Sequence, residues 1–178
     1  MPVPCGEPVH IMKEGEFMAL LTIREIGDPI LEKTAKEVTT LTPRLRLLIN
    51  DMFQTMYESN GVGLAAPQVG ILKRIVVIDV SEEQNEPLVF INPRILESSG
   101  EQFGYEGCLS VPGKSGKVRR PDYVKAAALD RNMRPFEIEG TGLLARCMCH
   151  EFDHLDGKLY VRLVEGGLVD NEDAEEES

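Results

Sequence analysis

Between residues 149 and 157 the chain contains the sequence Cys149-His150-Glu151-Phe152-Asp153-His154-Leu155-Asp156-Gly157. In an α-helix, residues four apart lie one turn above each other, so His150 and His154 direct two imidazoles to one point with Glu151 beside them. This spacing is typical of a metal site with a glutamate base. The alternative is a solvated helix whose histidines merely share a face. Because the chain has only 3 histidines and two of them have this spacing, we interpret the stretch as a metal-binding helix.

Two histidines leave such a site one ligand short, because a catalytic metal usually takes three protein ligands and keeps one position for water. Cys108 is the natural third ligand, since a thiolate and two imidazoles make a three-ligand site. The alternative is buried packing, which is the more common role of a lone cysteine, and spacing does not show that Cys108 reaches the metal. Cys147 is a competing thiol, because it precedes His150 by one helical turn and shares its face. We expect Cys147 to be a small buried residue near the site instead, because three ligands on successive turns of one helix converge poorly on one ion.

The hydrophobic pattern predicts an α+β domain. Thr42 is a suitable N-cap and Pro43 suits the first helical position, and the apolar stripe that follows predicts a helix that stops at Asn60-Gly61. We expect a short strand near residues 20–23. Further β-rich runs lie between the two helices, at residues 74–80, 88–91, 123–129 and 135–138. The expected architecture is antiparallel or mixed β-sheets packed around a central metal-binding helix, with an N-terminal helix before them.

We expect three parts along the chain. Residues 1–17 contain several Pro and Gly residues without sustained periodicity, which predicts an irregular N-terminal extension that is not a targeting peptide. Residues 18–164 are predicted to form a single catalytic domain, at a chain length that buries about 70% of the unfolded surface. Residues 165–178 contain seven carboxylates and neither Lys nor Arg, which predicts a disordered acidic tail.

The composition restricts the environment and the partners. The formal net charge of −11 argues against nucleic-acid binding, because contacts with phosphates need a basic face. Four cysteines without a secretory signal favour a reducing compartment, and no apolar run approaches the length of a membrane span. We therefore expect a cytoplasmic protein with no direct nucleic-acid or membrane partner.

A glycine-rich loop, Gly61-Val62-Gly63-Leu64-Ala65-Ala66-Pro67-Gln68-Val69-Gly70, follows the first predicted helix. Its early glycines let the backbone approach a partner closely. Gln68 supplies an amide that can donate a hydrogen bond to an oxygen. The loop lacks the Lys-Ser/Thr ending of a phosphate loop and the strand-to-helix pattern of a dinucleotide site, so the sequence does not predict a nucleotide.

Three stretches together resemble the signature motifs of the peptide deformylase family, in the same order and with similar separations. They are Gly61-Val62-Gly63-Leu64-Ala65-Ala66-Pro67-Gln68, Glu106-Gly107-Cys108-Leu109-Ser110 and His150-Glu151-Phe152-Asp153-His154. The resemblance extends over residues 20–163. It implies a hydrolase that removes the formyl group from the N-terminal formyl-methionine of new polypeptides and releases formate.

The resemblance also implies a role for each matching position. Cys108, His150 and His154 would be the metal ligands. Glu151 would be the general acid and base, and Gln68 with the backbone N–H of Leu109 would face the formyl oxygen and stabilise the oxyanion. Apolar neighbours would line a methionine pocket, and the full set expected to contact the substrate is Val62, Gly63, Glu106, Gly107 and Cys147.

The cofactor and partners follow from the same resemblance. It implies one Fe²⁺ per chain with Zn²⁺ as a common replacement, although thiolate and imidazole ligands alone favour zinc. The expected partners are formyl-Met nascent polypeptides. Many bacterial members continue into a basic C-terminal helix, whereas this chain becomes acidic. A transient contact with the ribosome is therefore a possible partner interaction, but the resemblance does not establish it for this end of the chain. The chain has Cys149 before the first His ligand, where the family usually has Gln.

Two other functions use parts of the same pattern. A zinc peptidase needs the same His-Glu-x-x-His helix, but it does not account for Cys108 or the Gly-Ala loop. A structural zinc module would favour four closed ligands, with Cys147 or Cys149 added, and would leave Glu151 without a role. An assay of formate release from a formyl-Met-peptide, compared with peptide cleavage and with no turnover, separates the three functions.

Overall fold

The computed structural model describes residues 19–178. In chain order the elements are α1 (Pro43–Glu58), β1 (Gly63–Ala65), β2 (Ile75–Ile78), β3 (Leu88–Ser99), β4 (Gln102–Cys108), β5 (Val111–Arg120), β6 (Tyr123–Leu129), β7 (Pro135–Thr141), α2 (Gly142–Leu155), β8 (Glu165–Asp170) and α3 (Asn171–Glu176). Short 3-10 turns occur at Pro29–Glu32, Ala66–Val69 and Tyr160–Arg162. The predicted extension, residues 1–17, lies outside the described residues.

Five strands form one antiparallel sheet in the order β1-β2-β3-β6-β7. All four residues of β2 are buried, because helices cover both faces of the sheet there. Val76 and Ile78 belong to the buried cluster that includes α2. Ile75 and Val77 point to the other face and pack in the cluster that includes α1. This alternation follows from the two-residue period of a strand.

Helix α2 is the central element of the fold. It packs against the first sheet through Met148 and Phe152, and the Phe152 ring contacts the Phe90 ring of β3 edge to face at a centroid distance of 5.4 Å. Ten of its fourteen residues are buried. The prediction of an α+β fold with antiparallel sheets around this helix is confirmed.

Helix α1 begins and ends where its sequence predicts. The Thr42 hydroxyl accepts a hydrogen bond from the Leu45 N–H at 3.2 Å, and Pro43 occupies the first turn. After the helix, Asn60 adopts a left-handed conformation with φ of 56°. The strand expected near residues 20–23 is wrong, because the backbone there pairs with no strand and forms an irregular segment.

A second sheet has the order β4-β5-β8. β4 and β5 form an antiparallel hairpin that is closed by the turn at Leu109 and Ser110. This hairpin is not predicted from the sequence, since β5 contains Pro112, Gly113 and charged residues instead of an alternating apolar pattern. In the two sheets as described, β1 and β4 are edge strands.

The predicted disordered tail is wrong, because residues 165–170 form β8 and pair with β5. The carboxylates meet cations of β5: Glu165 pairs with Arg119 at 3.0 Å and Asp170 pairs with Lys114 at 2.6 Å. The acidic residues of this stretch are evident in the sequence, but the strand that carries the pairing cations was not predicted. Opposite charge on a neighbouring strand therefore removes the repulsion that favoured disorder.

The helices of residues 19–178 include none with both the length and the apolar character that a membrane crossing requires.

Candidate metal centre and active site

Helix α2 and the end of β4 bring three metal-ligating side chains together. His150 and His154 lie on one face of α2, as their spacing predicts. Cys108 is the last residue of β4, and its Sγ lies 3.4 Å from His154 Nε2. One ligand atom from each of the three residues lies within 4.8 Å of the others. Within residues 19–178 this is the group of side chains with the arrangement of a metal site.

The two thiols of helix α2, Cys147 and Cys149, are not members of this group. Burial raises the pKa of the Cys147 thiol well above its ordinary range, and burial raises the pKa of the Cys149 thiol to about 11. Both thiols therefore stay protonated at neutral pH, whereas a metal ligand is a thiolate. Cys147 is the small buried residue beside the site that the sequence analysis expected.

The donor set fits a divalent transition metal. One thiolate and two imidazoles are ligands that suit zinc or ferrous iron, and three protein ligands leave a position for water. Two buried polar atoms at the site, Glu151 Oε2 and His154 Nδ1, have no hydrogen-bond partner among the described residues. Buried polar atoms are nearly always paired, so Glu151 Oε2 marks a site that is completed by further ligands or water, whereas His154 Nδ1 lies on the opposite side of the ring from Nε2.

Glu106 fixes the orientation of His150 through the ring nitrogen Nδ1. Its Oε1 lies 2.7 Å from His150 Nδ1, which leaves Nε2 of the imidazole for the metal. Arg120 donates two hydrogen bonds to the same carboxylate at 2.8 and 3.0 Å, and Arg146 donates one at 2.8 Å. Burial alone would raise the pKa of Glu106, but the hydrogen bonds from His150 and Arg120 outweigh it and lower the pKa to about 2.

This arrangement differs from the role expected for Glu106. The residue lines a cavity, but its carboxylate is occupied by three side chains and supports a ligand. Three further charged residues belong to this network but were not predicted to have a role at the site: Arg120, Arg146 and Asp153. Asp153 pairs with Arg120 at 2.8 Å. Charged residues on a strand and a helix are usually solvated, so no local signal indicated that they converge. The closest available signal was the pair Glu106 and Cys108 in one short motif.

Glu151 is buried directly beside the candidate ligand His150. Its side chain is 6% exposed, and Oε1 lies 3.9 Å from His150 Nε2. Burial raises the pKa of the Glu151 carboxyl to about 7, which is suitable for both accepting and donating a proton near neutral pH. Gly63 makes room for this carboxylate, since a Cβ built at Gly63 would lie 2.7 Å from Oε1. The glycine thus has the close-approach role that its loop predicts.

Gln68 reaches the site from the 3-10 turn that follows β1. Its Oε1 accepts a hydrogen bond from the Ala65 N–H at 2.9 Å, which fixes the amide. Its Nε2 lies 3.5 Å from Cys108 Sγ and donates to the Ser110 hydroxyl at 3.0 Å. Leu109 lies between Cys108 and Ser110, in the turn of the hairpin. Ser110 belongs to the second motif, but nothing in the sequence indicated its role, and the structure makes it a partner of Gln68.

Two adjoining cavities open at Glu151. The smaller one has a volume of about 120 Å³, and the larger one is a cleft of about 680 Å³. Both are lined by Val62, Gly107, His150 and Glu151. Of the other residues expected at the substrate, Cys147 lines the smaller cavity and Gly63 lines the cleft. A buried carboxylate beside three candidate metal ligands, at the base of an open cleft, is the arrangement of a metal-dependent hydrolase.

Comparison with known proteins identifies the family. The model of the polypeptide deformylase family matches residues 20–166. A peptide deformylase of Agathobacter rectalis is 66% identical over 153 residues, which are 86% of this chain and 95% of that protein. A peptide deformylase of Lachnoclostridium phytofermentans is 60% identical over 162 residues, which are 90% of this chain and 99% of that protein. The chain belongs to the polypeptide deformylase family.

Solved structures agree with this assignment. The crystal structure of a peptide deformylase from Legionella pneumophila has a TM-score of 0.81 and 49% sequence identity, and the match covers 83% of this chain and 88% of that one. A peptide deformylase from Synechococcus elongatus in complex with actinonin has a TM-score of 0.79 and 46% identity, over 82% of this chain and 79% of that one. As a member of the family, this chain is a metal-dependent hydrolase that removes the N-formyl group from nascent polypeptides.

Proposed function

We propose that Glu151 is the general acid and base of the deformylation, acting on formyl-methionine peptides beside a metal held by Cys108, His150 and His154. The observation that carries this assignment is the position of the Glu151 carboxylate. It is buried next to His150, and its Oε2 has no partner among the described residues. It also lines the cleft, so a substrate and a water molecule can reach it.

Proton transfer by Glu151 connects the steps of the reaction. A bound divalent metal would act as a Lewis acid and lower the pKa of a water molecule. Glu151 accepts a proton as this water attacks the formyl carbon, and a tetrahedral oxyanion results. Glu151 then donates the proton to the departing amine, and the carbon–nitrogen bond breaks to give formate and a free N-terminus. A carboxyl whose pKa is about 7 can perform both transfers at neutral pH.

Two donors are available for the oxyanion. The Gln68 amide is fixed through Ala65 and presents Nε2 beside Cys108. We assign the second donor to the backbone N–H of Leu109, which follows Cys108 in the hairpin turn and whose residue lines the cleft. One such donor typically contributes about 3–4 kcal/mol to the stability of the transition state.

The smaller cavity is proposed to take the methionine side chain. Its lining includes Val62, Leu143 and Cys147, which offer apolar surface next to Glu151. An unbranched, flexible thioether is adapted to a narrow apolar space of this kind. The polypeptide that follows the methionine then leaves through the larger cleft.

We propose Fe²⁺ as the working ion and Zn²⁺ as a replacement. The thiolate and imidazole donors accept both ions. Metal analysis of protein purified without oxygen tests this proposal, and air exposure separates the two ions because zinc has no redox chemistry. Iron-loaded protein is expected to lose activity in air together with oxidation of Cys108. Equal stability of both forms, with Cys108 unmodified, would contradict the choice of iron.

We further propose that deformylation takes place in the cytoplasm as formylated chains emerge from the ribosome. A transient ribosome contact would place the cleft near those chains. The C-terminal residues are poorly suited to that contact, because four of their carboxylates form no ion pair within residues 19–178 and would be repelled by the phosphates of ribosomal RNA; they are Glu172, Asp173, Glu175 and Glu176. The contact is therefore assigned to another surface of the protein.

Formate release from formyl-Met-Ala-Ser tests the proposed reaction. The metal-loaded protein should release formate and Met-Ala-Ser in equal amounts, and acetyl-Met-Ala-Ser serves as the matched control for an N-blocked peptide. Mass spectrometry of the products distinguishes the alternatives. Cleavage of the Met–Ala bond would indicate a peptidase, and an unchanged peptide in the presence of bound metal would indicate a structural site.

A further inference from the structure

The last residues of the chain form part of the larger cleft. We call residues 171–178 the C-terminal segment. The cleft that contains His150 and Glu151 is also lined by four residues of this segment: Asn171, Ala174, Glu175 and Ser178. The segment follows β8 and therefore lies beside the β4–β5 hairpin that supplies Cys108. A part of the chain that showed only an acidic composition thus becomes a wall of the active-site cleft.

Three contacts fix the C-terminal segment on the hairpin. The Ser115 hydroxyl donates a hydrogen bond to Asn171 Oδ1 at 2.7 Å. The Glu177 carboxylate accepts a hydrogen bond from the Tyr105 hydroxyl at 2.5 Å and pairs with Lys117 at 3.1 Å. These contacts lie at both ends of the segment, so the residues between them have a defined position along the cleft.

Glu175 brings an uncompensated negative charge to this wall. Its side chain is exposed and lines the cleft, and within residues 19–178 its carboxylate forms neither a hydrogen bond nor an ion pair. The lysine that lines the same cleft, Lys114, is already paired with Asp170 at 2.6 Å. A cation that enters the cleft therefore finds Glu175 available, whereas an anion is repelled by it.

The position of the substrate follows from the other end of the cleft. Glu151 is buried there and its Oε2 is unpaired among the described residues, which marks the place where the formyl group reacts. The smaller cavity takes the methionine side chain in the proposed function. The residues that follow the methionine must then run outward through the larger cleft and pass the C-terminal segment.

We propose that Glu175 is a specificity-determining residue, which favours formylated peptides with Lys or Arg shortly after the methionine and disfavours those with Asp or Glu. This inference rests on the proposed function of the same site. The pair between Glu175 and a peptide cation is solvent-exposed, so the expected preference is about two- to fivefold in kcat/KM. The preference should shrink as salt is added, because exposed charges are screened.

The test compares charged peptides on three proteins. The substrates are formyl-Met-Ala-Xaa-Ala and formyl-Met-Ala-Ala-Xaa with Lys, Gln or Glu as Xaa, and formate release gives kcat and KM separately. The proteins are the wild type, Glu175→Lys and Glu176→Lys. Glu176 is the matched control, because it is the adjacent exposed glutamate of α3 and is absent from the lining of the cleft.

The wild type should prefer the Lys peptide to the Gln peptide and the Gln peptide to the Glu peptide, mainly through KM. Glu175→Lys should reverse this order, and Glu176→Lys should keep it. Equal kcat/KM for the Lys and Glu peptides in the wild type overturns the role of Glu175, and so does an equal effect of the two substitutions. In either case, formate from the Gln peptide still upholds deformylation. No formate from any of the peptides overturns the proposed function as well.

Discussion

Nδ1 of His150 lies 2.7 Å from Oε1 of Glu106, a residue 44 positions earlier in the chain. The two groups are buried, and the same carboxylate accepts hydrogen bonds from Arg120 and Arg146. One carboxylate therefore sets the tautomer and orientation of a proposed metal ligand while it compensates two buried guanidinium groups. The proposed metal centre is built on this ion network as much as on the three candidate ligands.

Glu106→Gln is expected to weaken metal binding about 10- to 100-fold, since outer-shell partners of ligating histidines contribute that much. The substitution also leaves buried positive charge without its partner, which lowers the free energy of unfolding by about 3 kcal/mol. Competition with a chelator measures the affinity, and thermal unfolding measures stability. Glu101→Gln is the control, because Glu101 pairs with Arg119 on the surface and should change neither quantity.

Glu151→Gln is expected to keep the metal and lose about 10²- to 10⁴-fold in kcat, because the amide has the same shape but transfers no proton. Metal content and formate release are measured on the same sample. Loss of metal together with activity would assign Glu151 to the ligand set and refute its role as proton carrier.

Gly63→Ala is expected to lower kcat by about 100-fold without emptying the metal site, because a small displacement of a catalytic group has an effect of this size. The added Cβ would lie 2.7 Å from Glu151 Oε1 and 2.9 Å from Cys147 Sγ, so the carboxylate has to move. Gly104→Ala is the control, since its Cβ would meet its nearest neighbour, on Arg146, at an ordinary 3.6 Å. Equal activity of the two variants would argue against this contact.

Cys108→Ser is expected to lose most of the metal, because a neutral hydroxyl is a poor substitute for a thiolate. Cys149→Ala should retain both metal and activity, since the Cys149 thiol is buried and its pKa is raised to about 11. Metal analysis after gel filtration checks both variants. The opposite result, with an empty site only in Cys149→Ala, would require a different ligand set.

The sequence predicted those features that are local or that have a specific spacing. The N-cap Thr42 and the stripe after it determine α1, and the spacing of His150 and His154 determines one face of α2. The β4–β5 hairpin could not be predicted in this way, because its polar strands show no period of two and are stabilised by pairing. The same holds for the pair of Glu106 on β4 and Arg146 on α2, which is buried only when a strand and a helix from distant parts of the chain meet.

Deletion of residues 166–178 is expected to lower the melting temperature, because it removes nearly all of β8 and leaves β5 unpaired on one side. For a chain of this size each kcal/mol lost lowers the melting temperature by about 2–4 °C. The acidic composition alone, which predicts a disordered tail, predicts no change in the melting temperature. The double variant Glu172→Gln/Glu176→Gln is the control, since it reduces the acidic charge and keeps the strand. A deletion that unfolds at the temperature of the full chain would show that β8 adds no stability.

β1 and β4 are the edge strands of two different sheets, and Gly63 of β1 and Gly107 of β4 both line the cleft. The outer backbone N–H and C=O groups of each edge can therefore accept an extended peptide as an additional strand. Hydrogen bonds of this kind depend on the peptide main chain, which is the same in every protein. We therefore expect the cleft to hold the residues after the methionine mainly by their backbone, while their side chains adjust kcat/KM from one newly made chain to another.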